Sequence, residues 1–308
     1  MTLPEPHQAP VIYGHQKEEA AFVEAWRAGR LHHAWLISGP AGIGKATLAY
    51  RLARIVLKGD VLSSATGRRI SAGTHGDLLV IARQHDPKKG RLRGEITVSD
   101  VQPVHHLLHH TATEGGWRVV IVDGAEFLNR FAANALLKLL EEPPQQTLFL
   151  LTTAAPGALL PTLRSRCRAM ALSPLTEEEM HQLLPDLPEE ALKNAQGSPG
   201  RALFLAQDHH GRIESLVRQV LDGRELDEDL WHSLHQIARE TAGFALFCDR
   251  LSNGFVQKAK DEASQGHVAR AAFFAEKTAS LETLRRQTES FSLDKEQAMR
   301  QALALASV

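Results

Sequence analysis

The feature that most constrains the fold is a glycine-rich segment between a short apolar run and a helical pattern. Residues 34–38 read AWLIS, residues 39–45 read GPAGIGK, and residues 46–57 have a helical pattern. In a phosphate loop, a buried strand leads into glycines and a lysine, and the N–H groups at the start of the next helix bind an anion. The segment therefore predicts a nucleotide- or phosphate-binding loop. The alternative is a relic that only shapes the turn.

The residues predicted to contact nucleotide are those of the loop, the two that follow it, and one later aspartate. They are Gly39, Pro40, Ala41, Gly42, Ile43, Gly44, Lys45, Ala46, Thr47 and Asp123. The residue after the lysine normally gives a hydroxyl to Mg²⁺. Ala46 has no hydroxyl, and Thr47 is rotated by about 100° around the helix. We expect ATP or ADP to bind without the usual magnesium ligand, and we predict no metal-ligating residue.

A second nucleotide element is predicted at the end of the strand WRVVIVD, residues 117–123. Asp123 occupies the position of a magnesium-orienting carboxylate, although a simple turn residue is the alternative. The next position usually holds the glutamate that polarises the attacking water. Here it is Gly124, and Glu126 is predicted to face elsewhere. A general base contributes roughly 10²- to 10⁴-fold to a rate, so we expect negligible ATP turnover by this chain alone.

The order of predicted elements indicates an α/β region followed by an all-helical one. Strand and helix patterns alternate to about residue 173, which favours a parallel sheet covered by helices on both faces. Beyond that point only helical patterns occur, beginning with a capping box at Thr176 and Glu179. We predict domains at residues 1–173, 174–208 and 209–308.

Composition excludes several classes of protein. The 308 residues carry a formal charge of −1, so no global attraction to nucleic acid is expected. Two distant cysteines, Cys167 and Cys248, exclude a disulfide framework and a four-cysteine zinc site. No apolar run approaches the ~20 residues that span a membrane, and the N-terminus lacks a signal-peptide pattern. We expect a soluble, cytoplasmic protein that does not contact membranes.

Four segments together resemble the bacterial clamp loaders of DNA polymerase III, which are AAA+ proteins, and among them the delta-prime subunits. These segments are GPAGIGKATLA, EGGWRVVIVDGAEFLNRFAANALLKLLEEPP, LFLLTTAAPGALLPTLRSRC and GSPGRAL, in that order. The resemblance implies a RecA-like AAA+ core, a small helical lid and a helical collar that assembles a pentameric ring. It also implies motor subunits and a delta subunit as partners, and contact with the sliding clamp and primer–template DNA through the complex. Any DNA polymerase activity would belong to that complex.

The resemblance assigns Arg166, within Ser165-Arg166-Cys167, as an arginine finger that acts on a neighbouring ATPase subunit. Such a finger is worth about 10³- to 10⁵-fold in rate and needs no base or metal of its own. From the residues alone, Arg166 is a surface arginine in a basic loop with Arg164 and Arg168. The implied role is a stator that does not hydrolyse ATP efficiently.

Two departures from the family pattern limit what the resemblance implies. Residues 57–75 lack the cysteines of the zinc module found in motor subunits, so we expect no zinc. Gly200 occupies the sensor-2 arginine position and Arg201 is one residue late, which makes nucleotide sensing there doubtful. Thr152 or Thr153 stands at the sensor-1 strand end, where capping or turn chemistry is the alternative role.

Two other functions remain open: an autonomous phosphate-loop ATPase that uses Asp123 with Glu126 as base, and a scaffold with an empty nucleotide site. Three further features have ordinary interpretations. Four histidines (His105, His106, His109 and His110) are interpreted as a solvated helix face, and the basic segment Lys88–Arg93 as a solvated loop tip rather than a DNA contact. Glu141 and Glu142, at the unfavourable end of a helix, are predicted either to contact a partner or to interact with Lys138. The apolar stripes of the last 100 residues do not reveal which faces are interfaces.

Overall fold

The computed structural model describes residues 3–86, 91–109, 111–114, 116–206, 212–223, 228–239, 243–291 and 293–306. The chain divides into two compact units, Met1–Leu203 and Phe204–Val308. The three predicted domains, with boundaries at residues 173 and 208, stay a prediction. Within the described ranges, no helix has the length and apolar character needed to cross a membrane.

The first unit is built around a five-stranded parallel sheet with strand order β2-β5-β6-β1-β7. Its strands are β1 (Ala34–Ser38), β2 (Leu78–Ile81), β5 (Arg118–Val122), β6 (Thr147–Thr153) and β7 (Arg168–Ala171). A separate antiparallel ribbon joins β3 (His85–Asp86) to β4 (Arg91–Leu92). Crossovers through helices separate the strands of the main sheet, so the predicted parallel α/β architecture is confirmed.

Helices cover both faces of this sheet. The helices up to residue 205 are α1 (Gln16–Arg27), α2 (Lys45–Val56), α3 (Ala65–Ser71), α4 (Val98–His109), α5 (Arg130–Glu141), α6 (Pro161–Ser165), α7 (Glu177–Leu183), α8 (Glu189–Asn194) and α9 (Pro199–Leu205), of which α1 to α6 contribute to the two cores on the faces of the sheet. Alternate residues of a strand point to opposite faces. Accordingly, Val120 and Phe149 lie in one core with α4 and α5, whereas Ile121 and Leu150 lie in the other with α1 and α2. This is why the strands read as continuous apolar runs.

Two segments, one before and one after β2, differ from what their local sequence predicts. Residues 58–76 are rich in Gly, Ser and Thr, which predicts an irregular segment, yet residues 65–71 form α3, because the Ser64 hydroxyl caps the helix by accepting from Gly67 N at 2.9 Å. Residues 95–98 have a strand-like sequence, but only Ile96 pairs, in an isolated bridge with Leu128. The chain turns there because the Asp100 carboxylate accepts from Thr97 N at 2.8 Å as α4 begins, so Ser99, which with Gln102 matches a capping box, lies inside the helix.

The residues after β7 form a small helical core within the first unit. Thr176 and Glu179 make the predicted capping box at the start of α7. Leu175, Met180 and Leu192 pack in a separate buried cluster that also includes Ala202. This cluster places residues 197–201, which precede and begin α9, beside the loop that follows β1.

The second unit is helical throughout its described residues. Its helices are α10 (Arg212–Leu221), α11 (Glu228–Arg239), α12 (Gly243–Ser264), α13 (Val268–Phe291) and α14 (Lys295–Ala306). The apolar stripe predicted on α12 is buried, with Phe247 and Leu251 fully inaccessible. The buried Arg250 guanidinium pairs with Glu214 at 3.0 Å. The prediction of a helical C-terminal region is therefore confirmed.

Candidate functional site

The glycine loop lies between the carboxyl end of β1 and the start of α2, as predicted. Gly39, Gly42 and Gly44 have φ values of 152°, 77° and 100°, which L side chains adopt only with strain. A Cβ on Gly39 would also lie 2.8 Å from the Leu172 carbonyl oxygen. Gly44 is the N-cap of α2, and no side chain caps this helix end. The first N–H groups of α2 therefore form a potential anion site.

Carbonyl groups of the loop are directed toward other parts of the first unit. The Ala41 carbonyl accepts from Ser198 Oγ at 2.8 Å, and the Gly42 carbonyl accepts from Gly200 N at 3.0 Å. His15 donates from Nε2 to the Ile43 carbonyl at 3.0 Å. Because these acceptors are satisfied within the protein, the loop presents its donors, rather than its acceptors, to a ligand.

The contact between the loop and residues 197–201 is a close approach of two backbones. A Cβ on Gly42 would lie 2.7 Å from Ser198 Oγ and 3.1 Å from Gly200 Cα. A Cβ on Gly200 would lie 2.9 Å from Gly42 Cα. Both positions thus require glycine, although Gly200 was singled out in the sequence only as a missing sensor arginine. Sequence periodicity contained no signal for this contact.

Lys45, the lysine of the loop, folds back over its own loop. Its Nζ donates to the carbonyl oxygens of Gly39 and Pro40 at 2.8 and 2.7 Å. Burial lowers the pKa of Lys45, while the nearby carboxylates of Glu126 and Asp123 act in the opposite direction. Lys45 is therefore the cation of a small charged cluster at the carboxyl edge of the sheet.

Glu126 lies at the same edge of the sheet, close enough for its charge to act on Lys45. Gly124 has a φ of 81°, and the 3-10 turn Ala125–Phe127 that follows carries the glutamate back toward the sheet. Its Oε1 accepts from Ala154 N at 2.9 Å. Its Oε2 is buried with no hydrogen-bond partner among the residues that the structure describes. This orientation depends on a turn rather than on helix or strand spacing, and the sequence patterns used above do not resolve it.

Asp123 ends β5 as predicted and is bound to the neighbouring strand. Thr152 donates from Oγ1 to Asp123 Oδ1 at 2.6 Å and accepts from Gly124 N at 3.0 Å. The Thr153 hydroxyl accepts from Ala155 N at 3.1 Å. Both threonines are buried. They therefore perform turn and positioning chemistry at the end of β6, with one carboxylate oxygen of Asp123 already used.

The residues suit the phosphate groups of a nucleotide better than its magnesium ion. Ala46, in the first turn of α2, offers no oxygen ligand. Thr47 lines a cavity of about 10 Å³ together with Ile12 and Arg51, a volume that holds about one water molecule. No group of three or more histidine, cysteine, aspartate or glutamate side chains suited to a metal occurs in the described residues. The loop fits an anion, and the usual hydroxyl ligand for the metal is missing.

Arg166, the predicted finger, caps the carboxyl end of the short helix α6 and is 34% exposed. Its Nη2 lies 2.5 Å from Glu141 Oε1 at the end of α5. Its Nη1 donates to the Thr162 carbonyl at 3.1 Å. Glu141 thus pairs with an arginine 25 positions away in the sequence, instead of interacting with Lys138 as one alternative held.

The neighbours of Arg166 have different environments. Arg164 donates from Nη1 to the Pro156 carbonyl at 3.4 Å, and the Arg168 guanidinium lies 4.6 Å from the centre of the Trp35 ring. Burial raises the pKa of the Cys167 thiol to about 12, so this thiol is not a reactive thiolate. Of the three arginines, Arg166 is the one whose guanidinium forms an ion pair.

The other residues considered in the sequence are Arg201, the histidines of α4 and the basic loop. Arg201 donates from its backbone N to Ser198 Oγ at 3.2 Å, at the start of the helix that packs near the loop. His105 and His109 stack with ring centres 6.3 Å apart on α4, whereas His110 lies outside the described residues. Residues 87–90 of the predicted basic loop also lie outside them.

The fold and the loop define an AAA+-type α/β protein with a phosphate loop. In overall structure the chain is similar to a DNA polymerase III gamma subunit-related protein from Thermotoga maritima, with a TM-score of 0.51 and 19% identity over 92% of this chain and 98% of that one. This likeness supports the predicted AAA+ fold. It covers both units but, at this identity, concerns the fold alone.

The sequence identifies the family more narrowly. The family profile described as "DNA polymerase III, delta subunit" matches residues 14–176, and the chain belongs to this family. It is 37% identical over 229 residues to DNA polymerase III subunit delta′ of Escherichia coli K12, and 36% identical over 202 residues to that of Pseudomonas aeruginosa PAO1. These alignments cover 69% and 62% of this chain, and 65% and 60% of the relatives. The chain thus spans less than two thirds of the length of these curated relatives.

Proposed function

We propose that this chain is a delta-prime-like subunit of a bacterial clamp loader and works in the cytoplasm. It would join motor subunits and a delta subunit in a five-membered ring, and contact the sliding clamp and primer–template DNA through that ring. Family membership and the delta′ relatives support this assignment. The similarity to the E. coli tau subunit, 32% identical over 213 residues, supports an origin shared with other clamp-loader subunits.

The chain's own nucleotide site is proposed to bind ATP or ADP without hydrolysing ATP efficiently. One observation carries this proposal. The phosphate loop has its glycines at positive φ and an uncapped helix start, yet Ala46 replaces the hydroxyl residue and Gly124 replaces the glutamate. The N–H groups at the uncapped start of α2 and the Lys45 ammonium would hold the negatively charged phosphates of ATP or ADP. Binding of this kind needs no catalytic side chain. Without the hydroxyl of a magnesium ligand, and with glycine in the position of the base, the site has lost two contributors to catalysis.

Arg166 is proposed to act on the nucleotide of the neighbouring subunit. A guanidinium remains charged at all physiological pH values and presents several N–H donors in a planar array. It therefore stabilises the charge that develops on a transferred phosphoryl group, without a base or metal of its own. The partial exposure of Arg166 leaves it accessible to a partner. In a head-to-tail ring, one face of each subunit meets the opposite face of the next.

The test of the trans role is Arg166→Ala in the reconstituted complex. Hydrolysis at the site that receives the finger should fall by about 10³-fold or more, measured as single-turnover ATP cleavage. Arg164→Ala is the matched control and should retain the wild-type rate. Among the residues that the structure describes, Arg164 has no carboxylate partner and donates only to the Pro156 carbonyl, at 3.4 Å. An unchanged rate for Arg166→Ala, in a complex that assembles normally, contradicts the assignment.

An autonomous ATPase is the second candidate, and the position of Glu126 favours it. This carboxylate lies near Lys45 and has an unpaired buried oxygen, so it has the chemistry of a general base. Purified chain with Mg·ATP distinguishes the two functions. We expect turnover far below 1 s⁻¹, a rate ordinary for enzymes, and the same result for Glu126→Gln. Sustained turnover that Glu126→Gln abolishes establishes the second candidate.

A scaffold with an empty nucleotide site is separated from both by calorimetric titration of the chain with ADP. If the chain binds ADP and Lys45→Ala binds it more weakly, the proposed phosphate-binding role of the loop is supported. Absence of heat, together with absence of competition for a fluorescent nucleotide, supports the scaffold.

A further inference from the structure

The carboxylate of Glu141 lies where a helix end disfavours it. Glu141 is the last residue of α5, and the carboxyl end of a helix carries partial negative charge. The adjacent Glu142 is also exposed there. Of the two, Glu141 has a cationic partner: its Oε1 lies 2.5 Å from Arg166 Nη2, between side chains that are 48% and 34% exposed. A charge placed against the helix dipole is thus offset by an arginine from another helix.

The same guanidinium is held from a second direction. Arg166 Nη1 donates to the Thr162 carbonyl within α6, at 3.1 Å. The two terminal nitrogens are therefore fixed by different elements, one by α5 and one by α6. A free arginine samples many rotamers, and this freedom is lost when the side chain is held in one geometry. With both contacts in place, much of that ordering has already occurred before any partner approaches.

We propose that Glu141 is a positioning residue for Arg166: it holds the guanidinium in the geometry in which its other N–H groups meet the phosphate groups bound by the adjacent subunit. This inference rests on the proposed role of Arg166 in trans. Glu141 itself does not touch the nucleotide or change the charge state of the arginine, which stays protonated. Its effect is on orientation, and a displacement of about 1 Å at a reacting centre can cost about 10²-fold in rate.

The experiment compares Glu141→Gln with Glu142→Gln in the reconstituted complex with its ATPase subunits. The quantity measured is the Arg166-dependent rate, defined as the part of ATP hydrolysis that Arg166→Ala removes. We expect Glu141→Gln to lower the kcat of this part about tenfold with KM for ATP unchanged, because the finger acts after nucleotide binds. Glu142→Gln should retain the wild-type kcat. Glu141→Asp keeps the charge and should recover part of the loss.

A double variant separates positioning from a general structural effect. If Glu141 acts through Arg166, Glu141→Gln has no further effect in the Arg166→Ala background. A further decrease there, or a rise in KM, overturns the inference. So does an unchanged or increased kcat for Glu141→Gln alone, since an increase means that the ion pair restrains the finger. Failure of Arg166→Ala to lower the rate would instead remove the proposed function itself, so the two failures are distinguishable.

Discussion

The phosphate-loop region and the Arg166 corner of the same unit are built in opposite ways. The phosphate-loop region, residues 39–45 with 197–201, relies on glycine backbones in close contact and on hydrogen bonds between main-chain groups. The Arg166 corner, residues 161–166 with Glu141, relies on partly exposed, charged side chains. The shape of the first region therefore depends mainly on its backbone. Both contacts of the second region depend on the guanidinium of Arg166.

This difference explains how the loop keeps its shape with alanine at position 46 and glycine at position 124. Gly42 and Gly200 pack backbone to backbone, and Ser198 bonds the loop, so these residues also hold the first unit together. Ala46 and Gly124 break none of those contacts. The missing hydroxyl at position 46 and the missing carboxylate at position 124 are therefore compatible with the fold, whereas we expect a side chain at Gly42 to destabilise it.

The largest expected effect tests the backbone contact. Gly42→Ala and Gly44→Ala both place a side chain at positive φ, which costs about 1–3 kcal/mol. In addition, the new methyl group of Gly42→Ala meets Ser198 and Gly200, whereas that of Gly44→Ala meets no atom of the described residues within 4 Å. We expect Gly42→Ala to lower the free energy of unfolding by about 1–3 kcal/mol more than Gly44→Ala does. Urea denaturation of the full chain measures both.

Equal destabilisation by the two alanines would show that the loop and residues 197–201 separate freely in solution. In that case the contact between the phosphate loop and residues 197–201 would not stabilise the first unit. Its glycines would then have to be explained by ligand binding alone.

The smallest expected effect tests the Arg166 corner. The pair between Arg166 and Glu141 is partly exposed, and exposed ion pairs contribute about 0–1 kcal/mol. Arg166→Ala should therefore change the free energy of unfolding by less than about 1 kcal/mol while it removes the trans activity. A loss as large as that of Gly42→Ala would mean that the corner is a structural element, and that an activity defect of Arg166→Ala reports damaged folding.

Local patterns predicted most of the sheet and the chemical content of the site. Apolar runs identified four of the five sheet strands, the spacing of glycines located the loop, and Thr176 with Glu179 identified a helix start. Each of these signals arises within a few residues of the structure it predicts. The edge strand β7 was missed, because its sequence RAMA is mostly exposed and has no apolar run. The segments predicted wrongly, α3 and residues 95–98, were those where a single cap from Ser64 or Asp100 outweighed composition.

The partners within the site could not be obtained in this way. Glu126 reaches the Lys45 cluster through a glycine turn, and Glu141 meets Arg166 across 25 positions. Arg54, near the end of α2, is 2% exposed and donates to the carbonyls of His7 and Gly67 and to Ser71, yet no local pattern marks it as buried. Each of these contacts joins segments that are distant along the chain.

By itself, the sequence determined the parallel α/β sheet and the phosphate loop. It also determined that position 46 has no hydroxyl and that position 124 has no carboxylate. These are local properties, since they depend on backbone geometry and side-chain chemistry within a few residues. Only the tertiary structure decided that Gly42 and Gly200 touch, that Glu126 lies near Lys45, and that Glu141 pairs with Arg166. Those outcomes depend on which elements the hydrophobic cores bring together, and burial of apolar surface is non-directional and does not specify polar pairs.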